Sequence, residues 1–251
     1  MGVFQNHLLA AAVDATVETK GAIDLYESDA TDDTYICEFT GTGDETGAGG
    51  GLSGDDLILS ESGTVSDASS GWRTLNTGAF LPTTAFFTNF ISGNTANERT
   101  IALYIKNASV VPDNTNGFFN WVSSNAHGGM YLTIPNGGAN HDKLTIYMST
   151  GNAGVGLNGT AFSSFFGSSD AVWLVWWQDG TYDRFGWSED APSNWSDFPS
   201  GQRASASFDG DINDTSQGGG YGIGVNNGTA TGVFEINRFI MSKSGTIITN
   251  D

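Results

Sequence analysis

AVWLVWWQDGTYDRFGWSED, residues 171–190, places Trp173, Trp176, Trp177 and Trp187 around one short turn. With the two-residue period of a strand, Val172, Leu174 and Trp176 fall on one face and Trp173, Val175 and Trp177 on the other. Asp179-Gly180 is a favoured pair for a two-residue turn, so a hairpin turning there is predicted. On its return strand Phe185 and Trp187 share a face, while Arg184 points the opposite way, where it could lie over an indole. A sheet in a sandwich has one core face, so one stripe is expected to be buried for folding alone. The other needs a cover: a partner subunit, a chain terminus, the protein's own loops or a sugar. A neighbouring chain or the protein's own loops fits better, because so many indoles come without the hydrogen-bonding groups a sugar requires.

The same alternation runs outward along the chain. In TIALYIK, Ile101, Leu103 and Ile105 share one face, as do Leu144, Ile146 and Met148 in KLTIYMS. Strands are predicted over 22–28, 34–41, 55–62, 99–109, 117–124, 129–135, 143–149, 220–227 and 232–244, besides the hairpin. Turn clusters such as GTGDETGAGGGLSGDD, PNGGANHD and GDINDTSQGGG separate them. About ten short strands, no helix of useful length and no fixed repeat predict an all-β fold, a two-sheet antiparallel sandwich of jelly-roll type. Nothing reads as a linker, so residues 21–251 are expected to form one domain. Residues 1–20, with the only Ala/Leu-rich run, are expected to be an arm or short helix.

Composition narrows the partners. The formal net charge is -19, from 28 acidic and 9 basic residues. Such a field repels phosphate backbones and anionic lipid heads, so nucleic acid and membrane surfaces are poor candidates. The acids are dispersed, as on a soluble, salt-tolerant surface. Cys37 stands alone, which excludes an intrachain disulfide and any Cys-based metal site, and its strand-like setting predicts a small buried hydrophobe. No signal-peptide pattern opens the chain and no run of about 18 apolar residues occurs, so synthesis in a cytoplasm and no membrane insertion are expected.

ERTIALYIKNAS, GFFNWVSS, GGMYLTI, DKLTIYMS, VWLVWWQDGTYDRFGWSE and GVFEINRFIMSKS follow one another in an order that resembles laminin-G-like, concanavalin A-like lectin/glucanase domains. The resemblance covers roughly residues 50–245. WLVWWQDGT is similar to the family's Asp-Gly hairpin and FEINRFIMSKS to its closing strand, with Glu235 and Asn237 where the family often has an Asp-Glu pair. MGVFQNHLLAAA resembles the opening of structural proteins of tailed bacteriophages, in which a short start of this kind precedes a concanavalin A-like domain. This implies a virion protein, made in the host cytoplasm, whose arm (Phe4, His7, Leu8, Leu9) anchors it to capsid or tail proteins. It also implies a homo-oligomer, a trimer for instance, and contact with host glycans.

Chemistry-bearing patterns are sparse. A retaining glycanase needs an acid and a nucleophile on one face, commonly from Glu-x-Asp-x-x-Glu, and that spacing is absent. The histidines, His7, His127 and His141, lie in the arm and in Gly/Asn-rich loops, with no nucleophile elbow. No enzyme is therefore expected; a calcium-dependent carbohydrate-binding module is the alternative and a glycoside hydrolase the third reading. Rim calcium is common in laminin-G-like domains, and in FDGDINDTSQGGG the oxygens of Asp209, Asp211, Asn213 and Asp214 suit Ca²⁺, although a solvated turn explains them as well. Trp173, Trp177, Arg184, Trp195, Phe198 and Tyr131 are the candidate contacts to a ligand or partner, with Trp195 and Phe198 equally readable as a plug closing the sandwich. Trp72 in SSGWRTLNTGAF is a further notable aromatic, and the apolar run AFLPTTAFFTNFI (79–91), which has no clean period, either wraps an edge or contacts a neighbour, or is a core strand broken by Pro82.

Overall fold

The computed structural model describes residues 34–39, 41–49, 57–82, 98–106, 116–120, 129–133, 143–147, 154–157, 171–207, 222–226 and 229–242. In chain order the strands are β1 (Thr34–Glu38), β2 (Glu45–Gly49), β3 (Leu57–Val65), β4 (Arg73–Pro82), β5 (Glu98–Lys106), β6 (Asn116–Asn120), β7 (Gly129–Thr133) and β8 (Lys143–Tyr147). They continue as β9 (Gly154–Leu157), β10 (Ala171–Asp179), β11 (Tyr182–Ser188), β12 (Arg203–Ser207), β13 (Gly222–Ile223), β14 (Val225–Asn226), β15 (Thr229–Ala230) and β16 (Glu235–Ser242). Between β11 and β12 lies one 3-10 turn, Trp195–Asp197.

Every pairing is antiparallel. One layer runs β12-β11-β10-β5-β16-β1 and the other β3-β4-β13-β6-β7-β8-β9, with β2 carrying the pairing from β1 to β3. A second corner lies at β4, whose Arg73 and Thr74 face Ile236 and Glu235 of β16 while its later residues pair with β3. Rings from the two layers meet: Phe39 with Phe80 at 4.8 Å and Phe119 with Phe239 at 5.4 Å. The fold is an all-β sandwich.

Register explains the core. Leu174 faces Leu103 and Trp176 faces Ile101 across β10–β5, and Leu103 and Ile101 face Phe239 and Met241 across β5–β16. Tyr35 and Cys37 of β1 extend the same row. All of these are buried, each apolar side chain contributing about 1.5–3 kcal/mol. Burial pushes the Cys37 thiol up to about 12, helped by the Glu45 and Glu38 charges, so it is the inert small hydrophobe expected of it.

Several boundaries need correcting. β2 lies inside the Gly-rich run read as a turn; Glu45 and Thr46 pair with Leu59 and Ile58, which supply a partner strand where Thr46 is the one β-favouring residue of ETGAG. β4, β9 and β12 were not predicted as strands, and 220–227 divides into β13 and β14 at Gly224. Of the apolar run 79–91, Phe80 is a core residue of β4, which ends at Pro82, where a missing N–H stops the ladder. The remainder of that run, residues 1–20 and residues 22–28 lie outside the described residues.

The corner at β4 is pinned by a buried cation. The Arg73 guanidinium donates to Ser66 O (2.7 Å) and Gly43 O (3.1 Å), pairs with Glu45 and Glu61, and lies 5.2 Å from the Phe80 ring centre. A buried pair contributes little net stability, but losing one partner leaves an uncompensated charge. Arg73→Leu is therefore expected to cost about 3–5 kcal/mol, read from denaturant midpoints, and adding Glu45→Leu is expected to restore part of the loss.

Candidate functional site

β10 is buried on both faces, from Val172 to Gln178 without a break. The even-numbered residues face the other layer. The odd-numbered ones form a second cluster with Ile36, Ala102, Ile240 and Phe198, against which Tyr104, Ala191 and Trp195 pack. The stripe that sequence reasoning left in need of a cover thus receives one from the chain itself, the loop between β11 and β12.

The turn feeding this loop is displaced by one residue from the expected Asp179-Gly180. Gln178 pairs with Asp183, which makes Gly180 and Thr181 the central residues, with Gly180 at φ 81. Such a shift moves each cross-strand partner by two, so the predicted faces survive: Trp176 faces Phe185 and Leu174 faces Trp187. The Asp179 carboxylate accepts from the Thr181 (2.9 Å) and Tyr182 (2.7 Å) N–H groups and from Arg184 Nε (2.8 Å). Burial alone would raise its pKa, but these bonds together hold it below the usual carboxylate value.

The loop crosses the outer face as a roof. Its 3-10 turn is fastened by the Asp197 carboxylate, which accepts from the N–H groups of Ser193 (2.7 Å) and Asn194 (2.8 Å) and from the Ser193 hydroxyl (3.0 Å). Here too burial is outweighed by the hydrogen bonds, and the carboxyl lies below its ordinary value. Arg203 Nη1 donates to Trp195 O at 2.6 Å, tying the turn to β12. Phe198 lies stacked on Trp177 (5.5 Å, 17°), and Trp195 meets Trp177 edge-on (5.6 Å, 67°). Gly186 makes this possible, since a Cβ there would stand 2.7 Å from Phe198 Cε1.

The two ends of the roofed stripe remain partly open. At one, Tyr104 stacks on Trp173 (4.6 Å, 20°) and meets Trp72 (5.3 Å), over which Lys106 Nζ lies at 4.2 Å. Trp72 closes a tight turn from Ser69, with Ser70 and Gly71 at φ 54 and 78. Burial, then the Asp190 charge, raise the Tyr104 pKa. At the other end two guanidiniums share one indole: Arg184 Cζ is 5.1 Å and Arg203 Cζ 4.9 Å from the Trp195 ring centre. Arg184 also lies 5.2 Å from the Tyr182 ring, whose residue is 42 % exposed.

Of the predicted contacts, Trp177, Phe198, Trp195 and Arg184 are brought together, and Arg184 does lie over an indole, that of Trp195. Trp177, Phe198 and Trp173 are buried within the chain and offer no open face, so they serve as core and plug. Tyr131 sits on β7 in register with Thr145 and Gly117, apart from this cluster in the strand order. The calcium candidates Asp209, Asp211, Asn213 and Asp214, and the anchor residues Phe4, His7, Leu8 and Leu9, lie outside the described residues. Among the described residues no group of three or more His, Cys, Asp or Glu is placed to hold a metal. Sequence reasoning overlooked Tyr104, Tyr182 and Arg203; the TIALYIK alternation already places Tyr104 opposite the core face, whereas Arg203 carries no local signal.

Neither family models nor curated proteins give a match. Among solved structures, the one described as "Crystal structure of HCR/D-Sa-GBL1/C" superposes with a TM-score of 0.49 at 8 % identity, over 84 % of this chain and 49 % of that one. The chain spans about half the length of that structure.

Two outcomes follow from the roof. Gly186→Ala is expected to destabilise by about 1–3 kcal/mol in thermal or denaturant unfolding, because the Phe198 ring is confined against Trp177, and Phe198→Leu in the same chain is expected to recover part of it. Depressed carboxyl pKa values add stability that is complete above the unfolded-chain value of about 3.9 and is lost as pH falls through the lower folded value. Asp197→Asn is therefore expected to lower the thermal midpoint at pH 7. The gap from the parent protein should narrow below about pH 4, as the parent's own carboxylate protonates.

Proposed function

We propose that the chain is a non-enzymatic structural subunit displayed on a tailed-bacteriophage particle, where its outer surface touches host glycans. On this reading the sandwich is a concanavalin A-like jelly roll, residues 1–20 dock on capsid or tail proteins, and copies associate with one another. The observation that carries it is how the carboxylates of the described sheets are used. Glu45 and Glu61 hold Arg73, Glu38 holds Arg238, Asp179 holds Arg184 and Glu235 holds Lys106 at 3.3 Å. A glycoside hydrolase needs an acid and a second carboxyl flanking the scissile bond of a bound sugar, whereas each of these carboxylates is directed at a cation of the sandwich itself. A sealed, ion-paired sandwich is what a displayed subunit requires, since it must persist outside the cell. The particle-like opening MGVFQNHLLAAA and the acidic charge support the same reading.

Quantitative mass spectrometry of purified particles tests it. The protein is expected at a fixed copy number relative to the capsid shell, with incorporation lost when residues 2–20 are deleted. Absence from particles overturns the reading, and unchanged incorporation of the deleted form overturns the anchoring role.

A further inference from the structure

We propose that the Trp195 end of the roofed face is a binding site for the carboxylate of an acidic sugar, a uronic or sialic acid on a surface glycan, with Arg184 and Arg203 as the forks that receive it. The inference rests on the glycan-contact part of the reading above and names its substrate class.

Positive charge is scarce in this chain, with 9 basic residues against 28 acidic ones. Of its five arginines, Arg73, Arg99 and Arg238 are buried. The two that reach the surface are brought to the same indole, 5.1 and 4.9 Å from its centre. Like charges gathered this way repel unless an anion joins them, and Asp179 neutralises only Arg184. Each guanidinium has a single hydrogen-bonding contact among the described residues: Arg184 through Nε to Asp179, and Arg203 through Nη1 to Trp195 O. The remaining N–H groups of each guanidinium lie in its own plane and can donate two parallel bonds to a planar carboxylate.

The surroundings favour a sugar acid over a bare ion. Tyr182 stands 42 % exposed beside Arg184, 5.2 Å from its guanidinium, and offers an aromatic flank on which a sugar ring can rest. Ser205 lies opposite Arg184 in the β11–β12 register and is exposed, offering a hydroxyl to ring oxygens. Arg184 and Arg203 are diagonal neighbours across the β11–β12 ladder, and both are held before any ligand arrives, by Asp179, by the Trp195 carbonyl and by the indole they share, so little side-chain freedom remains to be lost on binding.

The test uses the full chain and two probe pairs: a galacturonic acid trisaccharide with its methyl ester, and sialyllactose with lactose, titrated by calorimetry at low salt. At least one acid is expected to bind saturably, with its neutral counterpart weaker by about tenfold or more. Arg203→Gln and, separately, Tyr182→Ala are expected to weaken acid binding to a similar degree while the thermal midpoint of Tyr182→Ala stays at the parent value. Arg203→Lys, which keeps charge without the fork, is expected to fall between parent and Arg203→Gln. Equal affinity for acid and neutral forms, or no binding of either acid, overturns the proposal. So does a loss of self-association in Arg203→Gln without any effect on sugar binding, which would make a second copy the occupant. Failure of the particle reading is distinguishable, because it is scored by the protein's presence in virions and leaves these titrations unaffected.

Discussion

Seven consecutive buried residues on one strand impose the constraint on which the rest of this structure depends. A two-layer sandwich can bury one face of β10 against its partner layer, and that accounts for Leu174 and Trp176. Trp173, Val175 and Trp177 face away from the partner layer, and leaving two indoles and a valine in water would forfeit several kcal/mol of burial. The chain resolves this by turning the β11–β12 connection back across its own sheet. Phe198 stacked on Trp177 is the contact that seals it, and Gly186 is the vacancy in the strand that lets the ring come down. Asp197, Ser193 and Arg203 then hold the short turn at the height the stack demands.

Charge is used in the same structural way. Arg73 sits where β4 leaves one layer for the other, at a point where the carbonyls of Gly43 and Ser66 converge on it. A guanidinium satisfies several acceptors from one position, which an apolar residue cannot do, and the two glutamates offset its charge. The desolvation cost of such a group argues for a role in fixing the corner's geometry more than in adding net stability. The same economy leaves few cations for the surface, which is why their grouping at Trp195 stands out.

Much of this was legible from residue order, and the limits are physical. Parity along AVWLVWWQD sorted Val172, Leu174 and Trp176 from Trp173, Val175 and Trp177, and TIALYIK grouped Ile101, Leu103 and Ile105, because a strand's period admits no third option; which β10 stripe met the other layer it left open. The hairpin turn was placed one residue early: Asp-Gly is a strong local signal for central turn positions, but Asp179 instead uses its carboxylate to cap the turn from just outside. β2 escaped because ETGAG has almost no side chains to advertise a strand, and its existence depends on the ladder that β3 supplies. The roof escaped for a different reason. Parity says that a face is apolar, yet it carries no information on which segment will cover it, and the pairing of Phe198 with Gly186 is visible only once β11 and β12 are aligned.

The roof has a consequence for the surface above it. Trp195 is held from below by Trp177 and Phe198 and from its backbone by Arg203, so its ring is fixed by the same contacts that close the core. Whatever rests on that ring inherits its rigidity. Arg184 and Arg203, long side chains that would ordinarily sample many rotamers, are confined to it and to Asp179, and the entropy of ordering them is lost at folding and not at binding. A loop whose first task is to keep two indoles dry therefore also yields a preorganised pair of hydrogen-bond donors at the edge of an acidic molecule. Stability and recognition draw on one interaction here, and a substitution at Trp195 cannot alter the second without disturbing the first.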